Sequence, residues 1–364
     1  MVPIVKQLVE YASVPLIVNP NAGLPHACDG CTVFDVGPAE FAVHMGAIAD
    51  LGVQVLGGCC GTTPDHIKAA VEVCRDKPFT PATDKGRTLV SSYAQAVEIG
   101  PAPVVIGERI NPTGKKKFQQ ALRDHNIEYL LNEAFAQEEA GAQVLDVNVG
   151  LPEIDEPALL VEVMESLQAV LPLPLQLDTS DPEAMERAMR RYNGKPMLNS
   201  VSGKAESMAA LFPLVKKYGG VVVGLALDEN GIPPTAEGRL AIAKKICDTA
   251  AQYGIPKKEI VIDPLTLTIS SEPEAAKVTL EAVGRIKKEL GVSTILGVSN
   301  VSFGLPKREV VNTAFFTMAL QQGLDCAILN PNNAAMMGAW RGYQALMGLD
   351  PQCGRYIAAY GGQE

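Results

Sequence analysis

The sequence predicts an α/β fold: a closed (β/α)8 barrel of the TIM type, preceded by the last β/α units of a second, incomplete barrel. Two observations predict it. From residue 104 to residue 331, eight apolar runs rich in Val, Ile and Leu alternate with amphipathic stretches. Nearly every run also closes on Asp, Asn or Glu. In such a barrel the C-terminal ends of all strands face one mouth, which is where active sites form.

The first 80 residues predict too few elements to close a barrel. They contain helix VPIVKQLVEYA, strand PLIVNPNAG, helix PAEFAVHMGAIADLG, strand VQVLGGCCG and helix TPDHIKAAVEVCRD. That is two and a half β/α units, and such a piece alone would expose its edges and its core. Pro, Thr, Asp and Gly then predict a linker. We therefore divide the chain into residues 1–80, a linker at 81–103, a barrel at 104–350 and a tail at 351–364.

The barrel elements follow in order from Val104. Helical stretches with apolar spacing of three and four separate the strands. Glycines at 219, 254 and 291 fall where a helix must end, and Asp181-Pro182 and Glu272-Pro273 fall where one starts. Eight repeats without a long insertion favour closure over an open sheet. The predicted strands are 104–109, 143–149, 174–180, 196–202, 220–227, 260–267, 293–300 and 326–331.

Composition indicates a compact enzyme with a large core. Of 364 residues, 47% are hydrophobic and 20% charged, and mean hydropathy is +0.11. A net charge of −10 argues against nucleic acid as a partner. No segment reaches the ~18 apolar residues of a membrane span, and the N-terminus lacks the order of a signal peptide. We expect a cytoplasmic protein without a membrane partner, whose eight cysteines are not a disulfide framework.

Cys59 and Cys60 follow the strand VQVLGG and precede a helix. Two thiolates beside a helix N-terminus form a credible soft-metal site, for which zinc is the usual ion. Two buried structural cysteines are the alternative. A third ligand is required, and the other paired thiols, Cys28 and Cys31 in HACDGC, give only a weak zinc signal. His66 is expected at the surface of the helix.

The segment GGCCGTTPDHI resembles the last strand of the homocysteine-binding barrel of the cobalamin-dependent methionine synthases, and VPLIVNPNAGLP resembles the strand before it. The resemblance implies that Cys59 and Cys60 bind zinc with a third cysteine from an earlier strand. That strand would lie before residue 1. We therefore expect a truncated or split chain whose homocysteine half-reaction is lost.

Residues 104–331 resemble the pterin-binding barrel shared by methionine synthase, the methyltetrahydrofolate:corrinoid methyltransferases and dihydropteroate synthase. The matching segments, in order, are GERINPTGKKKF, VLDVNVGLP, LQLDTS, LNSVSG, VIDPL and LGVSNVSFGLP. Six motifs in order across the barrel are far more specific than any one of them.

A pterin ring presents an exocyclic amine, ring N–H groups and a carbonyl, so it needs carboxylate acceptors and amides. Asp178, Asn199 and Asp263 stand at three strand ends and offer that set; the resemblance implies that they hold the pterin. Asp146 and Asn148 are expected to support the site. Taken singly, each could instead cap the helix that follows.

Two further segments complete the predicted site. Glu108, Arg109 and Asn111 of GERIN fit the methyltransferases, although Arg109 could instead form an ion pair at the bottom of the barrel. Asn300 lies in GVSNVSFG. A neutral amide near N5 of the folate can donate a hydrogen bond that strengthens as the methyl group departs. Dihydropteroate synthase has a basic Ser-Arg-Lys stretch there, so this contrast favours methyl transfer.

The resemblance implies an enzyme that binds 5-methyltetrahydrofolate and transfers its N5-methyl group to cob(I)alamin during methionine synthesis. A separate corrinoid-binding module or protein should carry the cobalamin, because none of the four histidines lies in a DxHxxG pattern. Homocysteine would depend on the missing part of the first barrel. Two alternatives stay open: a dihydropteroate synthase-like enzyme, and a non-catalytic folate-binding subunit.

Overall fold

The computed structural model describes residues 1–362, so the last two residues of the predicted tail, 363 and 364, lie outside the described residues. The chain divides into two compact units, the first from Met1 to Gly86 and the second from Arg87 onward. No helix in the described part is long and apolar enough to cross a membrane.

The first unit is a small parallel sheet with three helices. Strand β1 (Ile17–Val18) pairs in parallel with strand β4 (Val55–Leu56), placing Ile17 opposite Val55. Its buried core is formed by apolar side chains of the helices, among them Val5, Phe41 and Met45, together with Val18 of the sheet. The elements are α1 (Val2–Tyr11), β1 (Ile17–Val18), β2 (Pro25–Cys28), β3 (Cys31–Phe34), α2 (Pro38–Asp50), β4 (Val55–Leu56) and α3 (Pro64–Cys74).

The hairpin formed by β2 and β3 was not predicted. Its two-residue turn is Asp29-Gly30, with φ of 47° and 78°. Both values lie in the left-handed region, as a type I′ turn requires. Asp-Gly is the usual sequence for that turn, so the signal was present in HACDGC. Cys28 and Cys31 lie opposite each other across the turn, both exposed.

The second unit is the closed barrel that the sequence predicted. All eight strands are parallel, and each pairs with the next strand along the chain. The last strand, β14 (Cys326–Leu329), pairs with the first, β7 (Val104–Ile110), which places Cys326 opposite Val104 and closes the barrel. The strands are β7 (Val104–Ile110), β8 (Val144–Val147), β9 (Leu175–Asp178), β10 (Met197–Ser202), β11 (Val221–Leu225), β12 (Ile260–Asp263), β13 (Ser293–Gly297) and β14 (Cys326–Leu329).

Helices surround this barrel. Gly219 ends one of them with φ of 81°, and Asp181 caps another by accepting hydrogen bonds from the backbone of Glu183 and Ala184. The helices are α4 (Lys116–Arg123), α5 (Ile127–Glu139), α6 (Glu156–Val170), α7 (Pro182–Arg191), α8 (Ala205–Tyr218), α9 (Ala236–Gln252), α10 (Ala275–Arg285), α11 (Arg308–Gln321), α12 (Ala334–Leu346) and α13 (Gly354–Tyr360).

A second hairpin lies within residues 81–103, where the sequence predicted a linker. Strands β5 (Thr88–Ser91) and β6 (Ala96–Ile99) pair in antiparallel register. Their buried side chains Val90, Val97 and Ile99 pack with interior barrel residues such as Val104. The hairpin therefore closes the N-terminal end of the barrel, burying apolar surface that the strands could not cover themselves.

Backbone contacts fix this hairpin. Ser91 and Lys195 exchange two hydrogen bonds, of 2.8 and 3.0 Å. Gly194 makes the close approach feasible, because a Cβ at that position would lie 2.3 Å from the Ser91 carbonyl oxygen. A linker pattern of Pro, Thr and Gly did not reveal this packing, since it depends on residues far away in the chain.

Candidate functional site

The polar strand ends meet at one mouth of the barrel. In register, Asp146 lies opposite Gln176, and Asp178 opposite Asn199. None of the predicted residues caps the helix that follows it. Asp155, Asp181 and Asn333 do so instead, accepting hydrogen bonds from the first turns of α6, α7 and α12. The strand-end groups are therefore available for another purpose.

Asp178 is the centre of a hydrogen-bonded cluster. Its Oδ2 accepts the side-chain amides of Asn148 at 3.0 Å and Asn111 at 3.4 Å. The carbonyl oxygens of both amides are occupied by nearby backbone N–H groups, of Gly150 and Thr113. Both Asn side chains are thereby oriented with their NH2 groups toward the carboxylate, and the cluster is organised without a ligand.

Asp146 lies beneath this cluster and is almost fully buried, with 3% of its surface exposed. Gln176 donates to its Oδ1 at 2.6 Å, and the side chains of Asn199 and Asn111 also hydrogen-bond to it. Burial and then the charge of Asp178 raise the pKa of Asp146 well above its ordinary value. Asp146 is thus a desolvated acid whose side chain is held by the neighbouring amides.

The pKa of Asp178 is raised to about 6, chiefly by burial; the hydrogen bond from Asn148 opposes this and the charge of Glu156 adds to it. The pKa of Asp263 is raised to about 7, again by burial, against the hydrogen bond from Leu265 and the charge of Arg239. Desolvated carboxylates of this kind bind N–H donors strongly, because the donor replaces the hydrogen bonds that water would otherwise donate to the carboxylate.

Glu108 borders the mouth from β7. Ser299 donates to its Oε1 at 3.0 Å, and Lys115 donates to its backbone carbonyl at 2.9 Å. Burial raises the pKa of the Glu108 carboxyl, while the hydrogen bond from Ser299 lowers it. Arg308 was not predicted as a site residue; it donates to the Ser299 carbonyl at 2.6 Å and to Ser302 Oγ at 3.0 Å.

Asn300 lies in a 3-10 turn, Val298–Ser302, directly after β13, and it is exposed. Within residues 1–362, the side-chain amide of Asn300 has no hydrogen-bond partner. The amide nitrogen folds back over Gly297, where an added Cβ would lie 3.0 Å from it. The Asn300 side-chain amide thus lies next to the C-terminal end of β13, and Gly297 makes room for it.

Arg109 does not point into the mouth. Its Nε donates to Glu133 of α5 at 3.1 Å, on the outer side of β7. Successive strand residues alternate in direction, so Glu108 inward places Arg109 outward. The ion pair therefore lies on the flank of the barrel near the end of β7, not at its bottom.

Cys59 and Cys60 form the second predicted site. Both are exposed, which argues against two buried structural cysteines, and their sulfur atoms are 3.7 Å apart. Two thiolates on one tetrahedral zinc at 2.3 Å would be about 3.8 Å apart, so the pair fits two ligand positions. No third Cys, His, Asp or Glu completes a metal group in the described residues.

His66 was expected at the surface, and this is wrong. Its side chain is 7% exposed. Its Nδ1 accepts the backbone N–H of Thr63 at 3.2 Å, and its Nε2 lies 2.8 Å from the Val36 carbonyl oxygen. The ring is thus used at both nitrogens as part of the start of α3, and the residue packs edge-on against Phe41.

Comparison with protein families places both units. The model described as pterin binding enzyme matches residues 107–330, well over half of the chain. The chain belongs to the pterin-binding enzyme family. The model described as homocysteine S-methyltransferase matches residues 1–74. This order of units is the one that the sequence resemblance predicted.

Curated relatives named methionine synthase match nearly the whole chain. That of Mycobacterium leprae (strain TN) is 33% identical over 347 residues, covering 89% of this chain and 29% of the relative. That of Mycobacterium tuberculosis (strain ATCC 25618 / H37Rv) is 31% identical over 366 residues, covering 95% and 30%. The predicted similarity to methionine synthases is confirmed. The chain spans about a third of the length of these relatives.

Solved structures of dihydropteroate synthases share the barrel fold. The enzyme of Xanthomonas albilineans with 4-aminobenzoic acid superposes with a TM-score of 0.57 and 22% identity, covering 71% of this chain and 98% of that one. The enzyme of Yersinia pestis gives a TM-score of 0.55 and 15% identity, covering 72% and 99%. At this identity the likeness establishes the fold alone.

Proposed function

We propose that the second unit is a methyltransferase that binds 5-methyltetrahydrofolate in the barrel mouth and passes its N5-methyl group to a corrinoid. The observation that carries the proposal is the combination of desolvated acids in the mouth with the Asn300 side-chain amide, which has no hydrogen-bond partner among residues 1–362. The acids suit the donor-rich edge of a pterin, and a neutral amide suits N5.

The binding step rests on Asp178, Asn199 and Asp263. A carboxylate opposite an amino-pyrimidine edge accepts two N–H groups, and charge-assisted hydrogen bonds of this kind are about twice as strong as neutral ones. Because Asn111 and Asn148 already hold Asp178 in place, little side-chain entropy is lost on binding.

In the transfer step, the bond between N5 and the methyl carbon breaks, and N5 keeps the electron pair and takes up a proton from solvent. The methyl group would leave to a reduced corrinoid, which would supply the electron pair for the new bond. The Asn300 amide donates a hydrogen bond to N5 that grows stronger as charge develops there, which stabilises the transition state. A separate module or protein supplies the corrinoid.

The first unit supports a narrower proposal. Cys59 and Cys60 would be two of the ligands of a zinc ion. Once a third ligand completes the site, the zinc would bind homocysteine and stabilise it as a thiolate. Since the described residues offer only these two, we expect the chain by itself not to methylate homocysteine.

A calorimetric titration with 5-methyltetrahydrofolate tests the binding step, with Asp178→Asn as the matched control that should lose affinity. Absence of binding by the unaltered chain contradicts the proposal. Demethylation of 5-methyltetrahydrofolate with free cob(I)alamin tests the transfer, and binding without transfer would indicate a non-catalytic folate-binding subunit. Product from p-aminobenzoate and dihydropterin diphosphate would indicate a dihydropteroate synthase instead.

A further inference from the structure

Arg239 of α9 is a fully buried arginine, 1% exposed. In the described part of the chain no carboxylate lies within ion-pair distance of it. Its guanidinium instead donates to backbone carbonyls, from Nε to Pro233 at 3.1 Å and from Nη1 to Pro264 and Leu265 at 2.9 and 2.8 Å. Burying a guanidinium is costly, and these carbonyl oxygens replace the hydrogen bonds that water would otherwise accept from it.

The turn that Arg239 binds directly follows Asp263. Leu265 has φ of 70°, a strained left-handed conformation that residues other than glycine rarely adopt. Its carbonyl oxygen accepts Arg239 and also Thr279 Oγ1, at 2.9 Å. Arg239 Nη1 donates to Thr279 as well, at 2.9 Å, so the three groups form a closed buried network.

The strained turn aims a donor at the pterin-binding carboxylate. With its carbonyl held from behind, Leu265 presents its N–H to Asp263 Oδ1 at 2.7 Å. That bond fixes the carboxylate orientation and uses one of its two oxygens, so the other is left for a ligand. The hydrogen bonds from Arg239 and Thr279 to the Leu265 carbonyl therefore hold this turn in its left-handed conformation.

We propose that Arg239 is a positioning residue for the folate site, which holds the Pro264–Leu265 turn and thereby orients Asp263 toward the pterin. This inference rests on the proposed function, because it assigns Asp263 a ligand. Arg239 acts through the turn and does not touch the substrate.

The positive charge of Arg239 has a second effect on Asp263, separate from the hydrogen bonds to the turn. Arg239 lowers the pKa of Asp263, against the burial that raises it to about 7. The strands on either side, Val221–Leu225 and Ser293–Gly297, carry no titratable side chain, and the residue facing the turn from α10 is the neutral Thr279. Glu272 acts on Arg239 rather than on Asp263. Removing the arginine charge should therefore raise the pKa of Asp263 further.

The experiment measures the Kd for 5-methyltetrahydrofolate from pH 6 to pH 9 in the full chain. Arg239→Met should move the midpoint of the pH dependence upward by about one unit, weakening binding about tenfold below pH 7 and much less at pH 9. Arg239→Lys should keep the midpoint and weaken binding evenly, since it retains the charge but not the planar fork. Thr279→Val should behave like Arg239→Lys.

The control is Lys287→Met, which removes the partner of the buried Asp325 at the opposite end of the barrel. It should lower stability and leave the pH profile of binding unchanged. An unchanged profile in folded Arg239→Met overturns the inference, as does a midpoint shift in Arg239→Lys equal to that in Arg239→Met. If Arg239→Met does not fold, normal affinity in Arg239→Lys and Thr279→Val overturns it. Failure of the unaltered chain to bind folate at any pH contradicts the proposed function instead.

Discussion

The barrel mouth and the Cys59–Cys60 turn are both polar strand ends followed by a helix, yet they differ in how their groups are held. In the mouth, Asp178 is half-buried and accepts two oriented amides. In the first unit, both thiols are exposed and each has the other as its side-chain neighbour. The mouth is organised before any ligand arrives, whereas the thiol pair needs further ligands to become a site.

This difference teaches what burial contributes to a binding site. A desolvated carboxylate gains most from a donor, because water no longer competes for it. An exposed thiol pair gains less, since water already solvates it. Substitutions in the mouth should therefore alter folate chemistry far more than substitutions at the thiol pair.

Asn300→Ala should slow methyl transfer to free cob(I)alamin about 10²–10³-fold while changing the Kd for 5-methyltetrahydrofolate by about threefold or less. The hydrogen bond to N5 matters only as charge develops there. Single-turnover kinetics and calorimetry measure the two quantities. Asn330→Ala is the control, because that amide serves the local turn at Asn332; equal losses of rate and affinity in Asn300→Ala would remove its proposed role.

Asp178→Asn should raise the Kd for 5-methyltetrahydrofolate about a hundredfold, since it removes charge-assisted hydrogen bonds worth about 2–3 kcal/mol. Asp181→Asn is the matched control on the same loop. Its carboxylate caps α7, and Asn caps a helix nearly as well, so affinity should not change. If both variants bind alike, Asp178 is not part of the folate site.

Asp263→Asn should abolish binding of 5-methyltetrahydrofolate and at the same time increase the free energy of unfolding. The folded-state pKa of Asp263 is raised to about 7 from an ordinary 3.8, so ionisation costs stability as pH rises through that window. The gain over the unaltered chain should therefore grow by about 2–3 kcal/mol between pH 5 and pH 8. Urea unfolding at both pH values measures it, and a pH-independent gain would contradict the assignment.

Cys59→Ser should leave folate affinity within about twofold of the unaltered chain, because its site is not the mouth. Zinc itself should bind weakly, with a Kd above about 1 μM, since two ligands supply only part of the 10–16 kcal/mol of a structural zinc site. Competition with a chromophoric chelator measures the metal affinity. Stoichiometric zinc that survives the chelator would mean that another ligand completes the site.

Local sequence determined the barrel and most of its mouth. Strand–helix alternation and glycine stops predicted all eight strands, because hydrophobic periodicity and capping act within a few residues. Strand-end Asp and Asn residues were found for the same reason, since every parallel strand of a barrel ends at one rim. Arg109 was predicted to bind the pterin, yet it points out of the barrel toward Glu133. Because strand side chains alternate in direction, placing Glu108 inward would have predicted this.

Tertiary structure alone decided the rest. The β5–β6 hairpin closes the barrel through contacts with residues about a hundred positions away, which no local pattern encodes. His66 is buried because Val36 and Thr63 meet both of its nitrogens. Arg239 supports Asp263 across a turn, and Arg308 supports Ser299 near Glu108. The sequence determined which groups the mouth contains; packing between distant segments determined which of them are buried, oriented and charged.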